Sequence, residues 1–177
     1  TAGISFKNFK KKTNISKINK KLKLIINEKN QLIESLSKNY KNSFNRKTLK
    51  KYRSYLDYRL IGIGGSILGT QAIYQFLKHK IKKNFTFVDN LQNKKIKNYK
   101  KKIVNLIISK SGNTTETIVN SNILIKKKDK NIFITENKKN YLYLFAEKLK
   151  AEIIHHNNFI GGRYSVLSEV GMLPAEL

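Results

Sequence analysis

The chain has 177 residues, 40% of them apolar, which suits one packed core and a single domain. Lys and Asn interrupt every hydrophobic run well short of the roughly 18 to 20 apolar residues of a membrane-spanning helix, so a soluble protein with no membrane association is expected. The absence of Cys excludes a disulfide framework, a thiolate zinc site and a cysteine nucleophile, and it fits a cytoplasmic location.

The formal charge of +26 raises nucleic acid as a partner. The details argue otherwise. Arg occurs only at Arg46, Arg53, Arg59 and Arg163, whereas base-edge and phosphate readout favours the forked guanidinium. The Lys residues are spread along the whole chain. Abundant Lys, Asn, Ile and Tyr beside a single Pro is the pattern of AT-rich codons, and scattered charge without a motif specifies no nucleic-acid site.

Thr1–Lys12 is basic but has neither the apolar segment nor the small-residue cleavage site of a secretory signal, and it starts without Met. It reads as the edge of a fragment. From Asn14 to Leu36, Ile15, Ile18, Leu22, Ile25, Ile26, Leu32, Ile33 and Leu36 fall mostly three or four apart on a Lys-rich background, predicting an amphipathic helix. A membrane-surface or calmodulin-type helix would carry the same pattern, but packing of the apolar stripe on a neighbouring layer explains it more simply. Residues 1–50 are therefore read as an N-terminal helical segment packing on a domain formed by residues 51–177, with a polar joint around Lys41–Lys50.

After the joint, short apolar runs alternate with helical segments. Leu60–Ile63, Phe85–Val88, Val104–Ile108, Ile132–Thr135 and Glu152–His155 read as buried strands. Leu68–Lys80, Thr115–Lys127 and Tyr141–Lys150 read as helices. Strand, helix, strand in this order implies parallel strands joined by right-handed crossovers, an α/β fold built as a three-layer α/β/α sandwich. In such a sheet ligands bind beyond the carboxyl ends of the strands, near a topological switch point.

Three loops fall at such ends. The first, Gly62–Gly69, follows a strand ending near Ile61 and precedes a helix. Its glycines permit a tight turn or close ligand approach. It misses the dinucleotide fingerprint, whose third glycine would fall at Ile67. The second, Ser109–Thr117, concentrates hydroxyls where a strand gives way to a helix. Ser109, Ser111 and Thr114 can donate to phosphate oxygens beside the free N–H groups and positive end of the helix. Helix capping by Thr114 with Glu116 or Thr117 is the plainer reading of one such hydroxyl. No P-loop order is present, so a phosphate monoester of a small molecule fits better than a nucleoside triphosphate. The third, Gly161–Gly171, places Arg163 after two glycines. A guanidinium there can brace an anion or stabilise a developing oxyanion, and a surface salt bridge is the simpler alternative.

Together Gly62–Ser66, Ser109–Thr117 and Gly161–Gly171 resemble the sugar isomerase (SIS) domain of the glucose-6-phosphate isomerase family, and GGRYSVLSEVGMLPA is similar to a signature segment of that family. The resemblance covers about Tyr58–Leu177. It implies that Ser109, Lys110, Ser111 and Thr114 hold the phosphate, that Gly65 and Ser66 line the sugar site, and that Arg163 stabilises an enediolate. Animal members carry a bulkier residue at the position of Gly112, and many bacterial members have glycine.

The family's general base Glu, its ring-opening His and a further active-site Lys correspond to positions beyond Leu177. His79, His155 and His156 lie in no family motif, and Glu116 and Glu169 read as capping or loop-orienting residues. The expectation is a fragment that binds sugar phosphate without turning it over, from an enzyme that interconverts glucose 6-phosphate and fructose 6-phosphate without metal or organic cofactor. A homodimer is implied for the whole enzyme, because in the family a neighbouring subunit completes the site. Two alternatives differ in class. A non-catalytic sugar-phosphate sensor would lack the Gly161–Gly171 segment, and a nucleic-acid-binding protein would bind in a strongly salt-dependent way and ignore sugar phosphates.

Overall fold

The computed structural model describes residues 15–28, 30–91 and 102–177. The fragment edge read at Thr1–Lys12 and the helix start at Asn14 lie outside the described residues. Five strands form one sheet in the order β2-β1-β3-β4-β5. They are β1 (Asp57–Ile61), β2 (Asn84–Val88), β3 (Ile103–Ile108), β4 (Lys130–Glu136) and β5 (Glu152–His156), and every neighbouring pair is parallel. All six residues of β3 are buried, as expected of a strand covered on both faces.

Seven helices accompany the sheet among the described residues: α1 (Ile15–Asn27), α2 (Gln31–Ser35), α3 (Arg46–Tyr52), α4 (Leu68–Leu77), α5 (Thr115–Leu124), α6 (Tyr141–Leu149) and α7 (Glu169–Glu176). Alternation along the strands divides the core into two. Tyr58, Leu60, Val104, Leu106, Ile132, Ile134 and Ile154 pack with Tyr52 of α3 and with Val170 and Leu173 of α7. On the other face Ile61, Ile107 and Phe133 pack with Leu142 and Ala146 of α6. The α/β/α three-layer architecture expected from the order of elements is the observed one.

Several boundaries move, each for a local reason. β1 begins at Asp57, earlier than the apolar run, because Arg59 is buried within it and its Nη1 donates to Leu124 O at 3.1 Å. α5 stops at Leu124, where Ile125 takes an extended conformation and turns its side chain into the core. α6 ends at Lys150 with φ 53°, and Ala151 N donates back to Ala146 O at 2.9 Å, a Schellman closure.

The N-terminal segment departs further from expectation. The single helix predicted over Asn14–Leu36 is interrupted, and α2 starts afresh at an N-cap, where Asn30 Oδ1 accepts from Leu32 N at 2.8 Å. α1 buries none of its residues, and Ile15, Ile18, Leu22 and Ile25 stay exposed. Packing on the domain comes instead from the stretch read as a polar joint. Asn45 caps α3 by accepting from Lys47 N and Thr48 N, and Phe44 and Leu49 of this stretch pack on the core beside Tyr52, which lies just past its end.

Candidate functional site

Because β1 lies between β2 and β3, the chain runs outward in opposite directions from β1, and the switch point falls between the carboxyl ends of β1 and β3. The loop after β1 bends into a 3₁₀ turn at Gly64–Ser66 and enters α4. Ser109 ends the β3 side of the crevice, with its N–H donating to Ile134 O at 3.1 Å.

Ser109 is buried, and its hydroxyl lies 2.9 Å from that of Thr114. Thr114 is the N-cap residue of α5 but makes no side-chain capping bond. The hydroxyl that capping would have used is turned to Ser109 instead. The first-turn N–H groups of α5 therefore take no side-chain acceptor from Thr114 at the positive end of the helix. Ser111 is exposed, and its Oγ accepts from Asn113 N at 3.3 Å.

Gly112 fixes the shape of this loop. Its φ is +65°, and a Cβ there would stand 1.8 Å from Asn140 Oδ1. Asn140 occupies that space because it caps α6, accepting from Tyr143 N at 2.9 Å, while its Nδ2 donates to Thr135 Oγ1 at 3.0 Å. Thr135 in turn donates to Lys110 O at 3.2 Å. The hydroxyl loop is thus held from below by β4 and α6.

The third loop crosses over the first. After β5 the chain turns through a 3₁₀ segment, Gly162–Leu167, and enters α7. Gly65 and Gly162 meet backbone to backbone, so that a Cβ on Gly65 would lie 2.1 Å from Gly162 O. Ser165 locks the contact, its hydroxyl within reach of Gly65 O at 3.2 Å and Gly162 O at 2.8 Å. Arg163 is exposed on this turn and has no hydrogen-bond or salt-bridge partner among the described residues. A surface salt bridge is therefore not what holds it there. Lys110 ties the second loop to the third: its Nζ donates to Asn158 O and lies 3.7 Å from Glu136 Oε1.

Gly65, Ser66, Ser109, Lys110, Ser111, Thr114 and Arg163 all stand on loops at one end of the sheet. Sequence reasoning took Glu169 as a loop-orienting residue but did not find its partners. Glu169 is fully buried; Oε1 lies 2.6 Å from His156 Nδ1 and accepts from Asn157 N at 3.2 Å, and Oε2 accepts from Tyr40 OH at 2.9 Å. Burial disfavours the charge, but hydrogen bonds led by that from His156 outweigh it and hold the carboxyl below the usual carboxylate range. Burial and the Glu169 charge push the Tyr40 hydroxyl up to about 12, against the hydrogen bond from Asn157. Tyr40 lies 129 residues from Glu169, and no local pattern announces the pairing. No described helix is long and apolar enough to cross a membrane.

The chain is 39% identical over 141 residues to the glucose-6-phosphate isomerase of Methanocaldococcus jannaschii, covering 71% of this chain and 34% of that protein. It is 39% identical over 139 residues to that of Acholeplasma laidlawii, covering 65% and 32%. The chain thus spans about a third of the length of these curated relatives. Among solved structures, a hypothetical protein from Thermus thermophilus superposes with a TM-score of 0.65 at 26% identity, over 82% of this chain and 36% of that one. The tagatose-6-phosphate ketose/aldose isomerase of Escherichia coli has a TM-score of 0.53 at 17% identity over 72% of this chain and 42% of that one, a likeness of fold. The family model for phosphoglucose isomerase matches residues 10–177, and the chain belongs to that family.

Proposed function

We propose that the protein to which this chain belongs interconverts glucose 6-phosphate and fructose 6-phosphate, and that these 177 residues form its sugar-phosphate-binding part. The observation that carries this reading is the hydroxyl pair Ser109 and Thr114 at the start of α5, turned toward each other and away from capping. Ser109, Ser111 and Thr114 bind the phosphate, with the first-turn N–H groups of α5 completing its coordination. Lys110 adds positive charge beside the loop while anchored to Asn158 and Glu136. Gly65 and Ser66 line the sugar site, on the turn that the backbone contact of Gly65 with Gly162 holds in place.

Arg163 stabilises the negative charge of a cis-enediolate as the proton moves between C1 and C2. A proton transfer of this kind needs a carboxylate aimed at those carbons. Glu169 is consumed by three donors and enclosed in the core and is not that carboxylate; in this reading the base and the ring-opening groups belong to the rest of the enzyme, of which this chain spans about a third. The segment 1–50 and the domain 51–177 act as one binding unit, and the whole enzyme works in the cytoplasm as a homodimer in which a neighbouring subunit completes the site.

Calorimetry with glucose 6-phosphate and with glucose tests the phosphate reading. Heat with the phosphorylated sugar, lost in Ser109→Ala/Thr114→Ala, is expected; equal heats for the two sugars would end it. A coupled isomerase assay on this chain should read no turnover. Turnover that vanishes with Arg163→Ala would put a base inside this chain and overturn that part of the proposal.

A further inference from the structure

The loop that carries Arg163 runs from Asn157 to Ser168 and has no strand or α-helix of its own. Its two ends are joined by one side chain. Glu169 is the first residue of α7 and His156 the last of β5. The carboxylate of the former meets the imidazole of the latter at 2.6 Å, with both side chains almost wholly enclosed, 0% and 1% exposed. The same oxygen accepts from the backbone N–H of Asn157, the first residue of the loop. Because the partner is a carboxylate, which only accepts, Nδ1 of His156 carries a proton in either charge state.

Two further contacts extend the clasp. Tyr40 donates to the second carboxylate oxygen at 2.9 Å and accepts from Asn157 Nδ2 at 2.8 Å, fastening the chain between α2 and α3 to the neck of the loop. The next residue, Asn158, accepts through its carbonyl from Lys110 of the hydroxyl loop. Hydrogen bonds, joined by the peptide link from Asn157 to Asn158, thus lead from the base of α7, through the neck, to the loop that begins at Ser109. Closing a loop at its neck removes conformations that its tip would otherwise sample.

We propose that Glu169 is a positioning residue: by clasping His156, Asn157 and Tyr40 it holds the Arg163 turn in register with the hydroxyl loop. Glu169 touches no substrate and moves no proton in the reaction. This inference rests on the sugar-phosphate reading only for its effect on affinity; the effect on the loop stands by itself.

The test uses the ¹⁵N-labelled chain, comparing the unmodified protein with Glu169→Gln and Tyr40→Phe at a temperature well below melting. Gln offers one acceptor oxygen to three donors, so the neck loosens. Heteronuclear NOE values at Gly161, Gly162 and Tyr164 should fall, the Gly112 amide should shift, and the Kd for glucose 6-phosphate should rise about tenfold. Tyr40→Phe removes one donor and leaves the two contacts of Oε1, so it should produce a smaller change at the same residues. It decides the matter if Glu169→Gln does not fold.

A lowered melting temperature with unchanged NOE values at residues 161–164, an unshifted Gly112 and an unchanged Kd would overturn the proposal and leave Glu169 a core residue only. If the unmodified chain gives no heat with glucose 6-phosphate, the proposed function fails, and the NOE values still decide the clasp.

Discussion

Replacing Gly65 with Ala puts a methyl group where two loops touch. The added Cβ would lie 2.1 Å from Gly162 O, 2.3 Å from its carbonyl carbon and 2.9 Å from its Cα, all of them backbone atoms that no rotamer change can move. Ordinary van der Waals contact begins near 3.4 Å, so the first and third loops must part by about 1 Å. The Ser165 hydroxyl, which bridges Gly65 O and Gly162 O, would be pulled from one of them. Overpacking of this kind costs about 1–3 kcal/mol, and for a chain of this size it lowers Tm by about 2–12 °C. The same displacement carries Arg163 away from the hydroxyl loop, and glucose 6-phosphate affinity should fall about tenfold or more. Thermal unfolding followed by circular dichroism and calorimetric titration read the two effects. A Gly65→Ala protein that melts with the unmodified one and binds the sugar phosphate unchanged would refute the argument that this backbone contact sets the site.

Asn140→Ala should destabilise by about 1 kcal/mol through the lost cap of α6, and it should weaken sugar-phosphate binding because Gly112 loses its support; denaturant titration and calorimetry check both. The Glu169 carboxyl is held below its ordinary value, so its contribution to stability is complete above the unfolded value of about 4.3 and is lost as pH falls through the lower folded value. Glu169→Gln should therefore flatten the acid limb of the stability profile measured in urea. Tyr40 has the opposite sign: its hydroxyl, raised from 10.0 to about 12, contributes stability that is present below pH 10 and lost between 10 and 12. Tyr40→Phe should remove that alkaline loss. Binding to DNA should be weak and should show no preference among duplexes of equal length at physiological salt, and a strong preference in a competition titration would overturn this.

The layer order was legible in the sequence because buried parallel strands are read from runs such as Val104–Ile108, and the runs ending at Ile63, Ile108 and Thr135 are each followed by a loop whose residue types differ sharply from the helix it opens. The same logic puts Ser109–Thr114 and Gly161–Arg163 at strand ends. Periodicity found the amphipathic N-terminal helix, α1, but reports neither where it stops nor what it packs against. The apolar spacing from Ile15 to Leu36 predicts a continuous packed helix, yet Asn30 restarts it and α1 remains exposed. Leu49 and Tyr52, hidden among Lys, do the packing instead.

What the sequence by itself determined, then, is which segments form strands and which loops lie at their carboxyl ends, since both follow from local composition and the alternation of elements. Only the tertiary structure decided how those loops meet. The contact of Gly65 with Gly162, the support of Gly112 by Asn140 and the clasp of Glu169 on His156 and Tyr40 join residues that are near in space but not local in sequence. Such contacts follow from strand order and crossover geometry, which bring distant segments to one end of the sheet, and no local propensity encodes them.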